Sequence, residues 1–237
     1  RLVLGADGLI GNGIAFKWMM PALIAHANEL TVEITDGESD LLFSGEYFSA
    51  PATLARLKNY YDLSESTYLE LGLSGMVGFN NRRGLIQNDR LVDESFRPTY
   101  VAAADLTVQW SPPAQARYRS LTWRSEGYYV ARRLEDESMQ RSWGAYSYVD
   151  YQLATSWFAG VRGDVALPTE RVVDDLAWDA VAYLTFWQSE FVYLRLQYSY
   201  GHDVPFVRAS GALGRRIDNR VIFQIDFAAG PHKHEKY

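Results

Sequence analysis

LAWDAVAYLTFWQSEFVYLRLQYSY, from Leu176 to Tyr200, is the stretch on which the fold of this chain turns. It holds two runs of about eleven residues in which apolar and polar side chains alternate, joined by Gln188-Ser189-Glu190. Successive side chains of a strand point to opposite faces. Leu176, Trp178, Ala180, Ala182, Leu184 and Phe186 therefore share one face, opposite Ala177, Asp179, Val181, Tyr183, Thr185 and Trp187. In the second run Val192, Leu194, Leu196, Tyr198 and Tyr200 oppose Tyr193, Arg195, Gln197 and Ser199. This is a β-hairpin with one apolar and one polar face.

The same hairpin recurs outward in both directions. C-terminally, Val221, Phe223, Ile225 and Phe227 oppose Arg220, Ile222, Gln224 and Asp226. N-terminally, apolar alternation marks strands around 14–20, 30–34, 52–61, 69–79, 102–110, 121–132, 143–153 and 157–165. The connections alternate between short (62–66, 111–117, 154–156, 188–190) and long (80–99, 134–142, 168–175, 203–219). Trp110, Trp123, Trp157 and Phe186 stand beside the short ones. Repeated dyads, aromatic strand ends and connections of alternating length are the signature of a transmembrane β-barrel. The expected fold is thus all-β, an antiparallel transmembrane barrel with 11–12 strands visible. An odd strand count disfavours a complete bacterial barrel, so residues 1–13 supply another strand or upstream strands exist. A chain that starts at Arg1, without Met, reads as processed or truncated. Residues 1–229 are assigned to the barrel and 230–237 to a periplasmic tail.

Composition sets the outer bounds. Of 237 residues, 48% are hydrophobic and 14% aromatic, with 16 Tyr and 7 Trp, which favour membrane–water interfaces. Mean hydropathy is -0.21, as expected where only alternate strand residues meet lipid. No apolar run approaches the roughly 18 residues a spanning helix needs. Net charge is -6, and no basic, aromatic-interleaved patch points to nucleic acid. Cysteine is absent, so disulfides and thiolate-ligated metals are excluded. The competing fold is a soluble sandwich or barrel, whose apolar face would pack on a core.

Outward apolar faces leave the opposite faces to line an interior. That set contains Lys17, Arg56, Lys58, Arg124, Arg132, Arg162, Arg195 and Arg220. It also contains Glu33, Glu70, Asp105, Glu126, Asp150, Asp164, Asp179 and Asp226. One reading is a pore wall whose charges screen solutes; the other is ion-pair ladders that stiffen the lumen. The balance of signs argues against strong ion selectivity. The segment 80–99 is the constriction candidate by length and charge. Catalysis has little support: Ser199, His202 and Asp203 are near in sequence, but Ser199 and His202 point to opposite faces. His232 and His234 give an incomplete metal set in a terminal tail. No phosphate-cradling glycine loop is present, and no cofactor or metal is expected. A final strand of alternating apolar residues ending in an aromatic is what barrel-assembly machinery recognises; Val221–Phe227 fits, and Tyr237 offers a second terminal aromatic.

The blocks RLKNYYDLSESTYLELGLSG, AADLTVQWSPP, RYRSLTWRSEGYYVARR, SWGAYSYVDYQLATSWFAGVRGD, AYLTFWQSEFVYLRLQYSY and FAAGPHKHEKY resemble a family of Gram-negative outer-membrane proteins. Its members are usually labelled porin-like or zinc-regulated TonB-dependent receptor-like. The resemblance runs from about Gly13 onward and implies a porin-like barrel completed upstream to about sixteen strands. Its general architecture is similar to that of phosphate-selective porins, although no phosphate-binding lysine cluster matches. The implied partners are outer-membrane lipid and lipopolysaccharide, the assembly machinery during insertion, and small solutes. A homo-oligomer stays open and no nucleic acid is expected. The expected function is passive diffusion of small polar or charged solutes, with a non-conducting structural or docking barrel as the alternative.

Overall fold

Period-two alternation yields strands because a pleated chain satisfies one hydrophobic face only at that spacing. The computed structural model describes residues 3–4, 9, 11–22, 25–37, 39, 41–43, 50–80, 86–87, 90–91, 97–134, 136–169, 171, 174–203, 206–207, 213–214 and 216–227. Eleven strands form one sheet: β1 (Gly13–Met20), β2 (Ala27–Thr35), β3 (Ala52–Ser64), β4 (Thr67–Asn80), β5 (Arg97–Trp110) and β6 (Leu121–Arg133). They continue as β7 (Met139–Ala154), β8 (Trp157–Leu167), β9 (Ala177–Ser189), β10 (Val192–His202) and β11 (Ile217–Phe227). Each strand pairs antiparallel with its neighbours in sequence, in the order β1 to β11. The fold is therefore all-β and barrel-like. The sheet is open, with β1 and β11 as its edges. Two small ladders lie apart from it, Ile86–Gln87 with Arg90–Leu91 and Phe206–Val207 with Leu213–Gly214.

Pairing register joins the apolar faces into one surface. Val165, Trp178 and His202 stand side by side, as do Val161, Ala182 and Tyr198, and Trp157, Phe186 and Leu194. Much of this surface is uncovered: Val161 is 58% exposed, Leu196 52% and Leu73 60%. Aromatics mark both of its ends. Near the shorter connections Trp157 packs on Phe186, ring centroids 4.8 Å apart, with Trp110 and Trp123 on the same face. Near the opposite end Trp178 meets Tyr200 edge-on at 5.8 Å, and Tyr100, Tyr129 and Trp143 share its face.

The connections depart from strict length alternation. The expected loop 134–142 shrinks to 134–138, because β7 begins at Met139. Glu137 adopts φ 63° there, and its carboxylate pairs with Arg133 to close the turn. The Ser138 hydroxyl and N–H donate to Asp136, which holds that carboxyl below the usual carboxylate range. Conversely, Ser111-Pro112-Pro113 opens a ten-residue connection rather than a tight turn. Proline cannot continue the ladder, and Tyr118 and Arg119 donate their N–H groups to the Gln115 carbonyl in a helical turn. Val3 and Leu4 form a turn, not a strand end. The constriction candidate 80–99 falls mostly outside the described residues, as do 228–237 with His232, His234 and Tyr237; Asn80 and 97–99 belong to β4 and β5.

The only apolar cluster of buried side chains among the described residues sits on the polar face, at the end of the longer connections. Leu42 and Phe43, from the β2–β3 connection, and Val3 pack there on Ala52, Val101 and Val130. Phe43 lies over Gly78, where a Cβ would overlap its ring. Arg132 Nη1 donates to the Leu41 carbonyl at 2.9 Å and tethers the segment.

Candidate functional site

Register places Lys17, Glu33, Arg56, Lys58, Glu70, Asp105, Arg124, Glu126, Arg132, Asp150, Arg162, Asp164, Asp179, Arg195, Arg220 and Asp226 on one face of the sheet. Within that face the charges are sorted. One cross-strand row reads Glu29, Lys58, Gly72, Asp105, Glu126, Tyr146, Asp164, Asp179, Gly201 and Asp218. The next row toward the shorter connections reads Tyr60, Glu70, Thr107, Arg124, Tyr148, Arg162, Val181, Ser199 and Arg220. The first is mainly acidic and the second mainly basic. Sequence counting reported balance and missed this order. The signal was present in opposite charges two residues apart: Arg124 and Glu126, Arg162 and Asp164, Asp218 and Arg220.

Most of these charges are satisfied between the rows. Lys58 reaches diagonally to Glu70 at 2.6 Å, and Lys17 lies 3.8 Å from Glu29. Arg162 pairs with Asp164, and Arg220 with Asp218, along single strands. Tyr146 donates its hydroxyl to Glu126 at 2.6 Å. Arg56 on β3 crosses β4 to Asp105 on β5 at 3.0 Å. Gly72 makes that reach feasible, since a Cβ there would overlap the Asp105 carboxylate. Gly72→Val is expected to displace Asp105 and cost about 1 kcal/mol, because Arg56 is partly exposed and its pair partly screened. Urea unfolding of the folded protein in vesicles checks this; Asp105→Asn, which removes the pair without the added bulk, controls for crowding.

Arg132 is buried at the capped end, donating to Leu41 and to Gln140 Oε1 at 2.7 Å, and serves to hold the inward segment. Arg195 and Asp150, together with Arg162, Asp164 and Asp179, face a trough of about 940 Å³ toward the shorter connections. Its wall spans from Gln109 on β5 to Gln197 on β10, so the polar face is concave there. The 111–120 connection borders it through Ser111, Ala116 and Ser120. Gln152 holds that connection in place: its amide donates to the Arg117 carbonyl at 3.0 Å and its Oε1 accepts from Ser120 Oγ at 3.1 Å. Tyr183 lies flat across β8 over Gly160, where a Cβ would overlap its ring. The Arg195 guanidinium stacks on that ring at 4.7 Å and donates Nε–H to Thr185 Oγ1 at 2.9 Å.

Chemically, this is a wall of held charges around a polar, aromatic-lined trough. Ser199 and His202 lie on opposite faces, as alternation requires, so they form no nucleophile–base pair. Among the described residues no group of three or more His, Asp or Glu side chains could hold a metal ion. No family model, no curated protein and no solved structure matches this chain.

Proposed function

We propose that this chain forms part of a porin-like outer-membrane channel through which small polar or charged solutes diffuse passively. The observation that carries the reading is the inverted distribution of polarity. Large apolar side chains cover the exposed face, whereas most buried side chains on the other are polar, among them Thr99, Thr107, Arg132, Gln152 and Thr185. A soluble sheet would bury the first face, and soluble monomers rarely expose so continuous an apolar surface. Trp178 and Phe186 bracket that face on β9 eight residues apart. At strand rise and barrel tilt this is roughly 20 Å across a bilayer, near the height of an apolar band between aromatic girdles. Among the described residues no helix is long and apolar enough to cross a membrane.

Single-channel recording of the refolded protein in planar bilayers is the test. Steady conductance is expected, with reversal potentials under a salt gradient showing only weak ion preference, because most charges of that face are held in ion pairs with one another. A closed bilayer, with the protein demonstrably folded and inserted, would sink the channel reading. It would favour a structural or docking barrel, for which the Val3, Leu42 and Phe43 cap on one end of the polar face is the specific support.

A further inference from the structure

We propose that the trough is a binding site for a zwitterionic solute, an α-amino acid or short peptide with an aromatic or apolar side chain. The assignment rests on the channel reading only for the route by which the solute arrives. Arg195 is built to receive an anion. Its guanidinium is held between Tyr183 at 4.7 Å and Tyr193 at 5.6 Å, and Thr185 occupies Nε. Among the described residues neither Nη makes a hydrogen bond or an ion pair. A planar fork held this way is preorganised for a carboxylate.

Asp150 is the complement. It too lacks a hydrogen-bond or ion-pair partner among the described residues, and its Oδ1 is buried without one. The two groups do not satisfy each other. Asp150 pairs with Gly160, Gly160 with Tyr183, and Tyr183 with Gln197, two residues along the strands from the Thr185–Arg195 pair. Sheet geometry thus separates their Cα positions by roughly 15 Å. Two opposite charges facing one cavity, within Coulombic reach of each other yet joined by no hydrogen bond or ion pair, are complementary to a solute carrying both charges a few bonds apart. Between them the wall is Phe158 and Tyr183, with Tyr148 behind Asp150 and Trp187 and Tyr193 beyond Arg195, surfaces for a flat or apolar side chain. Other charges are less suited. Arg124 is held by Thr107 in the same manner but does not line the trough. Asp179 also lines the trough with a buried, unpartnered Oδ1, but it sits two rows from Asp150, beside the Asp164 carboxylate.

The experiment titrates the folded chain in nanodiscs with three probes by calorimetry: L-phenylalanine, N-acetyl-L-phenylalanine and L-phenylalanine amide. The zwitterion should bind about tenfold tighter than either singly charged analogue, as expected where a second charged hydrogen bond is lost. Arg195→Gln should abolish binding of the two carboxylates. Asp150→Asn should lower affinity for phenylalanine to that for its N-acetyl form. Equal affinity for all three probes, or an unchanged Arg195→Gln protein, overturns the assignment. The probe comparison on the unaltered chain decides the matter even where a variant fails to fold. Conductance without binding of any probe refutes the site and leaves the channel. Binding without conductance supports the site and refutes the channel.

Discussion

Leu184→Arg is expected to destabilise the protein in lipid vesicles by about 2–4 kcal/mol, the cost of a cation near the midplane of a barrel's lipid face. Leu184 lies at the centre of β9, between Ala159 and Leu196, on the face whose ends carry Trp178 and Phe186. The effect should depend on depth. Val161→Arg, also central and on the same face, should cost a similar amount, while Trp178→Arg, at the aromatic edge, should lose about 0–1 kcal/mol from the charge itself. Denaturant titration of vesicle-folded protein reads all three. Surface substitutions in a soluble protein usually stay within about 0.5 kcal/mol, so a small effect at both Leu184 and Val161 would argue that this face meets water or a protein partner.

Phe43→Ala is expected to cost about 3 kcal/mol and to raise conductance. Phe43 is 3% exposed, beside the fully buried Leu42, and its ring covers Gly78. Removing a buried phenylalanine loses its transfer free energy and leaves a cavity. The cap sits on the polar face, so in the proposed channel its loosening would widen the route past Val101 and Val130. The same denaturant titration gives the stability, and single-channel recording gives the conductance. Lost stability with unchanged conductance would mean that the segment braces the sheet without narrowing the route. Current appearing only in the variant would identify the cap as what closes the native protein.

Much of the sheet was legible before any coordinates. The alternation in Leu176–Tyr200 fixes which side chains share a face, and the same alternation elsewhere locates all eleven strands of the sheet. Length was a poorer guide to the connections. Proline at 112 and 113 ends β5 but does not say how the following chain folds, and a polar run at 134–142 hid four strand residues, Met139 to Ser142. Polar residues on an inward face carry no hydrophobic signal, so periodicity lost them there. Leu42 and Phe43 carry no strand alternation, and their burial depends on Gly78 and Val101, distant in sequence.

What the sequence by itself determined was strand identity and facing, because these depend on backbone geometry repeating every two residues. Which charges meet was decided only by tertiary structure. Arg56 finds Asp105 across an intervening strand, Arg195 leans on Tyr183, and Asp150 finds no partner among the described residues. These outcomes follow from hydrogen-bond register and from two glycines, Gly72 and Gly160, that let neighbouring side chains lie across them. A one-residue slip in register turns a strand's side chains to the other face; a two-residue slip keeps the face but changes every neighbour. Facing is thus written along each strand, whereas partnership exists only between strands.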